Sequence, residues 1–523
     1  MAIVTPVVPP TRRNLELLLL LLAVGIGMST YALVGLGVDG ALPPGLLGFG
    51  AGMLSLGLLV HLVLRWKARW ADPVLLPIAT TINGLGLGMI HRLDLAEGRD
   101  FTEALAPKQL VWSALGVVCC LALLLLVPDH RRMRRYTYTA MVAGLVLLLL
   151  PLVPGLGVEI NGARIWIDLG ISSFQPGELA KIVLTVFFAG YLVTARDSLS
   201  LVGRKLLFFR LPRGRDLGPL VVAWVASLGV LVFERDLGTS LLFFGLFVAL
   251  LYVATERVGW IVLGLGMFVG GAFVAWTMFS HIQTRVDIWL HPFDPDVAAR
   301  SYQLVQGLYG MASGGLLGTG LGQGRPDIIP YAENDFILPA VGEELGLTAV
   351  FALLMLYAVL VQRGLRTAIG IRDGFGKLLA AGLAFSLALQ VFVVAGGVTR
   401  VIPLTGLTMP FLAYGGSSLV SNWGLLGLLL RMSDSARRPA PQVTPVSDAT
   451  LVHAVMAHPD LLAPAPSAPA EPAPAEPAPV ELEPEPSADA AEALGPTDPA
   501  DTDGTADPDD TASADGDRPG EVS

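Results

Sequence analysis

Four polar stretches carry the groups that could do chemistry, in a chain that is 53% hydrophobic and only 15% charged. They read NGARIWIDLGISSFQPGELAK (161–181), ERDLGTS (234–240), PYAENDFILPAVGEELG (330–346) and TRVIPLTGLTMPFLAYGGSS (399–418). Asp335 stands where a polar segment turns into a hydrophobic run. A carboxyl group in a partly dehydrated mouth can be raised into the range useful to a general base, provided nearby cations do not over-stabilise its anion. Glu343 and Glu344 follow two turns deeper on the same run. Glu178 and Lys181 are three residues apart at the start of another run, so they share a helix face and can pair. Charges at membrane depth are costly unless paired or facing water, which makes this pair a functional candidate; a pair that only fixes the start of its helix is the plainer alternative. Arg164, Trp166 and Asp168 lie in the preceding loop, where a cation and an aromatic ring could hold a sugar or phosphate. Interface anchoring would also account for Trp166. Asp236, before LGTSLLFF, has the position of a helix cap, a role compatible with function.

The elements that must position these residues are membrane spans. A helix crossing the hydrocarbon layer needs ~20 largely apolar residues. Runs such as LELLLLLLAVGIGMSTYALVGLG lack the period-two alternation of a barrel strand, which selects an all-α polytopic membrane protein. Spans are expected at 15–37, 43–64, 73–91, 109–127, 137–154, 178–195, 218–233, 238–254, 259–279, 337–361, 377–396 and 411–430, about twelve in all. With both termini cytoplasmic, the inner segments hold 23 of the 34 Lys and Arg and the outer ones 10, so the positive-inside rule favours that orientation. All four polar stretches then face outward. Residues 1–14 form a cytoplasmic N-terminus, and Arg12 and Arg13 flank an uncleaved signal anchor.

The outer segment at about 280–336 is the longest loop before the tail, and loops of that length are usually functional or disordered. It carries Arg285, Arg325 and the glycines 314, 315, 318, 320, 322 and 324, which permit sharp turns or close backbone approach. The net charge of −10 conceals a division, because residues 439–523 contain 18 Asp or Glu and a single Arg. The stretch 431–523, Pro/Ala-rich and acidic, is expected to be a disordered cytoplasmic tail. Cys119 and Cys120 are adjacent within a span and offer no metal-ligand spacing. With no Walker-type phosphate loop and no GxGxxG between a strand and a helix, ATP-driven and dinucleotide chemistry are unsupported, and no nucleic-acid partner is expected.

Taken together, the four motifs resemble the SEDS family of polytopic membrane proteins, the RodA, FtsW and SpoVE proteins that polymerise peptidoglycan glycan strands from lipid II. The likeness covers roughly 110–430, in order and with family-like spacing. It implies a ten-helix core, here with two extra N-terminal spans. The Asp of the family's DFIF-like motif, its proposed catalytic residue, falls on Asp335; the Glu and Lys of FQPSExxK fall on Glu178 and Lys181; the Asp of QPDLGT falls on Asp236; the loop Arg falls on Arg285. In this chain ERDLGT replaces QPDLGT and NDFIL replaces TDFIF, Arg164 stands one residue before the usual Arg-Trp pair, and Arg325 lies where a family Lys is missing.

The resemblance implies a glycosyltransferase acting at the outer membrane face, with the polyprenyl chains of its substrate held among membrane lipids. Asp335 would accept the proton of the acceptor 4-hydroxyl, while Arg285 with Lys181 or Arg164 neutralises the departing pyrophosphate. Arg164, Trp166, Glu178, Lys181, Asp236, Arg285, Arg325, Glu343 and Glu344 are the candidate substrate-binding residues. A divalent cation, Mg or Mn, could share the task, although the sequence offers no dedicated ligand set. Implied partners are a class B penicillin-binding protein and the proteins of the elongation or division complex, with elongation favoured. A lipid II flippase and a noncatalytic scaffold for a transpeptidase are the rival readings. A flippase should show a polar path across the membrane, whereas these charges cluster at one face.

Overall fold

The computed structural model describes residues 11–439, apart from 101, 161–162, 171, 201–204, 207–208, 211–217, 219–220, 223, 226–228 and 230–235. Among the described residues, helices dominate: α1 (Arg13–Val38), α2 (Leu46–Lys67), α3 (Leu75–Ala96), α4 (Leu105–Leu126), α5 (Thr137–Leu149), α6 (Pro176–Ser200), α7 (Leu237–Thr255), α8 (Gly259–Met278), α9 (Ser280–Leu290), α10 (Ala298–Gly314), α11 (Ile337–Gly370), α12 (Gly374–Val398) and α13 (Gly416–Arg437). Nine candidate spans among the described residues are long and apolar enough to cross a membrane. The protein is an all-α polytopic membrane protein. The expected span at 218–233 lies largely outside the described residues, as does the expected tail beyond 439. α13 runs on to Arg437, past the expected tail boundary at 431.

Helix ends follow local chemistry. Asp236 caps α7 by accepting from the Thr239 N–H at 2.9 Å, and Asp373 caps α12 by accepting from the Gly376 N–H at 2.8 Å. α11 is interrupted at Gly346, whose φ of 77° and ψ of 174° only glycine tolerates easily, so residues 337–345 form a short separate piece before the long crossing begins. α3, α12 and α13 are the most deeply enclosed helices, whereas α8 is exposed over nearly its whole apolar surface, as a helix facing lipid should be.

Two expected loops contain regular structure. Residues 157–174 form a three-stranded antiparallel sheet of β1 (Gly157–Ile160), β2 (Ala163–Asp168) and β3 (Ser173–Phe174), with Trp166 opposite Val158. The segment 280–336 contains α9, α10 and a glycine-rich turn. Its period is concealed in the sequence by glycine and polar residues, but α10 seats Gly307 against the Phe336 ring, where a Cβ would come within 2.8 Å.

The two ends of the bundle collect different charges. At the end bearing the start of α1, Asp72 pairs with Arg437 and, at 3.6 Å, with Arg363; the Trp70 N–H donates to Asp434 at 2.9 Å. Arg13 and His61 both bind Glu16 there, at 2.5 and 2.7 Å, and Arg13 also donates to the Ala71 carbonyl. The opposite end contains the segment carrying Asp335.

Candidate functional site

Asp335 occupies the turn before α11, and Arg285 projects from α9. Burial pushes the Asp335 carboxyl above its ordinary value, and Glu333 adds to that; the charge of Arg285 and a hydrogen bond from its own backbone N–H act the other way. Burial lowers the Arg285 guanidinium, opposed by the charges of Asp236 and Asp335. The same cation therefore lies in the field of two carboxylates from segments about a hundred residues apart in sequence. Arg285 Nη1 is held by the Leu404 carbonyl at 2.7 Å. Trp289 Nε1 donates to the Arg400 carbonyl at 3.0 Å, and Arg400 Nε donates to the Trp289 carbonyl at 3.1 Å, so α9 is clamped along its length to one segment.

That segment, 399–415, is the hub of the site. Gln390 Nε2 donates to the Thr408 carbonyl at 2.9 Å, Tyr357 Oη to that of Pro410, and Gln109 Nε2 to that of Ala413 at 2.9 Å. The Tyr414 N–H donates to the Glu333 carbonyl at 2.7 Å, joining the hub to the turn that carries Asp335. Gly238, just after Asp236, packs against Thr405 and Leu407 so closely that a Cβ would lie 2.6 Å from Leu407 Cγ. An irregular backbone is tolerated at this depth because surrounding side chains satisfy its carbonyls.

Glu178 and Lys181 form the expected pair at 2.7 Å, both nearly fully buried, and Lys181 Nζ also donates to Gln390 Oε1 at 2.7 Å. Through Gln390 the pair is connected to the hub. Glu178 also lies within the electrostatic environment of Asp236. The structure thus gathers Glu178, Lys181, Asp236, Arg285 and Asp335 into one polar cluster whose members come from three helices or their caps and one turn.

Other candidates lie apart from that cluster. Arg164 is exposed and Trp166 half-buried on β2. Arg325 is exposed and pairs with Asp327 at 3.1 Å. Glu343 accepts from the Arg325 N–H at 2.7 Å, and Glu344 accepts from Arg92 Nε at 2.6 Å and the Gly322 N–H at 3.0 Å. Both glutamates are buried; Glu343 binds the glycine-rich turn, and Glu344 divides its oxygens between that turn and Arg92 of α3. Residues not singled out in the sequence include Arg92, Gln390 and the Asp94–Arg99–Glu333 chain, with contacts of 3.1 and 3.5 Å. Arg92, Asp94 and Gln390 were visible as polar residues within or at the end of apolar runs, the one signal that could have marked them. Among the described residues, no group of three or more His, Cys, Asp or Glu could hold a metal ion.

A bundle of apolar helices long enough to cross a membrane, with an acid–cation cluster at one end, defines a polytopic membrane protein with a candidate site at that end of the bundle. The family model described as "Cell cycle protein", for FtsW, RodA and SpoVE, matches residues 73–438, and the chain belongs to this family. It is 49% identical over 440 residues to the peptidoglycan glycosyltransferase RodA of Mycobacterium tuberculosis H37Rv, covering 83% of this chain and 93% of that one. It is 32% identical over 380 residues to the stage V sporulation protein E of Bacillus subtilis, covering 71% and 99%. A chain from a solved peptidoglycan synthase complex that coordinates polymerization and crosslinking aligns with a TM-score of 0.54 at 27% identity, covering 71% of this chain and 99% of that one. A mutant of the rod shape determining protein RodA from Thermus thermophilus aligns with a TM-score of 0.51, also at 27% identity, covering the same shares.

Proposed function

We propose that this chain is a peptidoglycan glycosyltransferase that joins lipid II-linked disaccharide units at the outer face of the cytoplasmic membrane, with Asp335 as the general base. The observation that carries the assignment is the convergence of Asp335 and Asp236 on Arg285, at the end of the bundle opposite the Asp72–Arg437 pair. The ionised Asp335 takes the proton of the acceptor 4-hydroxyl as that oxygen forms its bond to the donor's anomeric carbon. The bond from that carbon to the diphosphate oxygen breaks, and its electron pair leaves on the polyprenyl diphosphate. Arg285 offsets the charge developing there, a preorganised role worth about 3–4 kcal/mol per donor. Lys181, held between Glu178 and Gln390, supports the same anion; Arg164, Trp166 and Arg325 contact substrate nearer the water.

The sidedness of this reading is supported by the gathering of Arg13, Arg363, Arg437 and Arg438 at one end, which the positive-inside rule places in the cytoplasm together with both termini. A role in elongation is supported by the greater identity to RodA. A class B penicillin-binding protein is the proposed partner, supported by the polymerization and crosslinking complex that contains a similar chain.

The test is polymerisation of externally supplied lipid II by purified protein. Asp335→Asn and Asp335→Ala should express normally and form no glycan. Full activity in either variant would refute the base assignment, and lipid II movement across a vesicle membrane without polymer would favour the flippase. Cysteine labelling at the Asp335 turn from outside the cell should succeed.

A further inference from the structure

Helices α1 and α2 precede residues 73–438, the part matched by the family model. The start of α1 is tied to the loop between α2 and α3 through Arg13 and the Ala71 carbonyl. The outer end of α1 makes a different kind of contact. Gln323 Nε2 donates to the Gly37 carbonyl at 2.9 Å, across 286 positions of sequence. Gly37 and Gly322 meet backbone to backbone: a Cβ on Gly322 would come within 2.8 Å of the Gly37 carbonyl carbon and 2.9 Å of its Cα, and a Cβ on Gly37 would overlap the Leu321 carbonyl oxygen. Gly322 has a φ of 81°, so glycine is required there for conformation as well as space.

The turn that Gly37 touches is fastened to the start of α11. The Thr319 and Gly320 N–H groups donate to the carbonyls of Glu343 and Glu344, both at 2.9 Å. The Gly322 N–H donates to Glu344 Oε2, and the Arg325 N–H to Glu343 Oε1. Arg92 Nη2 holds the Gly324 carbonyl at 2.8 Å while its Nε holds Glu344. The short piece 337–345 is therefore braced along its inner end by the turn, and Asp335 is two residues before its outer end. α1 is in turn seated on α3, which carries Arg92, through Gly27 and Gly84, where a Cβ on Gly84 would come within 3.0 Å of the Gly27 Cα.

We propose that α1 is a stop for the glycine turn, with Gly37 and Gln323 as positioning residues that set where Asp335 stands relative to the two sugars. Neither touches substrate; both act through Glu343, Glu344 and the piece of helix that leads back to Asp335. The inference rests on the assignment of Asp335 as base. A side chain at Gly37 pushes Leu321 and Gly322 away and tilts the piece 337–345, and a displacement near 1 Å at a reacting group can cost about 100-fold in rate.

The experiment measures kcat, KM and thermal midpoint for glycan formation from lipid II, using the full chain and the variants Gly37→Val, Gln323→Ala and Gly25→Val, with Asp335→Asn in parallel. Gly25 lies on the same helix with open space around it, so Gly25→Val controls for placing valine in α1. Gly37→Val should lower kcat at least 10-fold with KM within twofold in protein that remains folded at the assay temperature, Gln323→Ala should lower kcat several-fold with KM within twofold and an unchanged midpoint, and Gly25→Val should behave as the wild type. Wild-type kcat in both Gly37→Val and Gln323→Ala would overturn the proposal, as would losses in both that follow a lowered midpoint. If Asp335→Asn keeps full activity, the assignment of the base fails; if it is inactive while the Gly37 and Gln323 variants are normal, only the stop fails.

Discussion

Replacing Arg285 with Gln removes a positive charge that both Asp236 and Asp335 sense. Arg285 is half-buried and fixed by the Leu404 carbonyl, so its charge is already aimed when substrate arrives. Losing such a preorganised donor costs about 2.7–4 kcal/mol of transition-state stabilisation, or roughly 100- to 1,000-fold in kcat. The pH profile should move as well. Burial raises the Asp335 carboxyl and Arg285 partly counteracts it, so without Arg285 the carboxyl titrates at a still higher pH. A base works only when ionised; activity is lost as pH falls through its pKa, and the acid limb of kcat/KM in Arg285→Gln should lie at higher pH than in the wild type. Stability has the opposite sign: because the folded pKa of Asp335 is above the unfolded one, its contribution is fully present below the unfolded value and is lost as pH rises through the folded value. The variant should therefore be relatively more stable in acid than at neutral pH. Initial rates of glycan formation across a pH series, with thermal midpoints on the same samples, measure both effects. An unchanged rate and acid limb would refute the coupling between Arg285 and Asp335.

Arg92→Ala should lower stability by about 3–5 kcal/mol, because it leaves the wholly buried Glu344 carboxylate without its cation. A thermal midpoint in detergent checks this, and activity should fall with it as the glycine turn loosens. Lys181→Met should destabilise by a similar amount by stranding Glu178. Adding Glu178→Gln should recover stability but not glycan formation; recovery of both would mean that the pair only fixes the start of α6.

Much of this molecule could be read from residue order because a membrane imposes strict local rules. A span must be apolar over its whole length, so the limits of α1, α7 and α12 fall within a few residues of the expected ones. The Glu178–Lys181 pair and the Asp236 cap were legible too, since both depend on neighbours three residues away. The sheet at 157–174 has an alternating VEI and RIWID pattern, but its strands are short and set among glycines 155, 162 and 170, so they read as loop. α9 and α10 lack a strong apolar face because they lie outside the bundle core.

The sequence by itself determined the class of protein, its helical spans and the four polar motifs, because hydrophobic length, charge asymmetry and helix-capping positions are local properties. Tertiary structure alone decided which polar groups share a site. It placed Arg285 between the influences of Asp236 and Asp335, turned Glu343 and Glu344 toward the glycine turn, and used the carbonyls of 399–415 as the common anchor. The physical reason is that hydrogen bonds and charge interactions depend on distance in space, and residues from α1, α3, α9 and α11 become neighbours only when the helices pack.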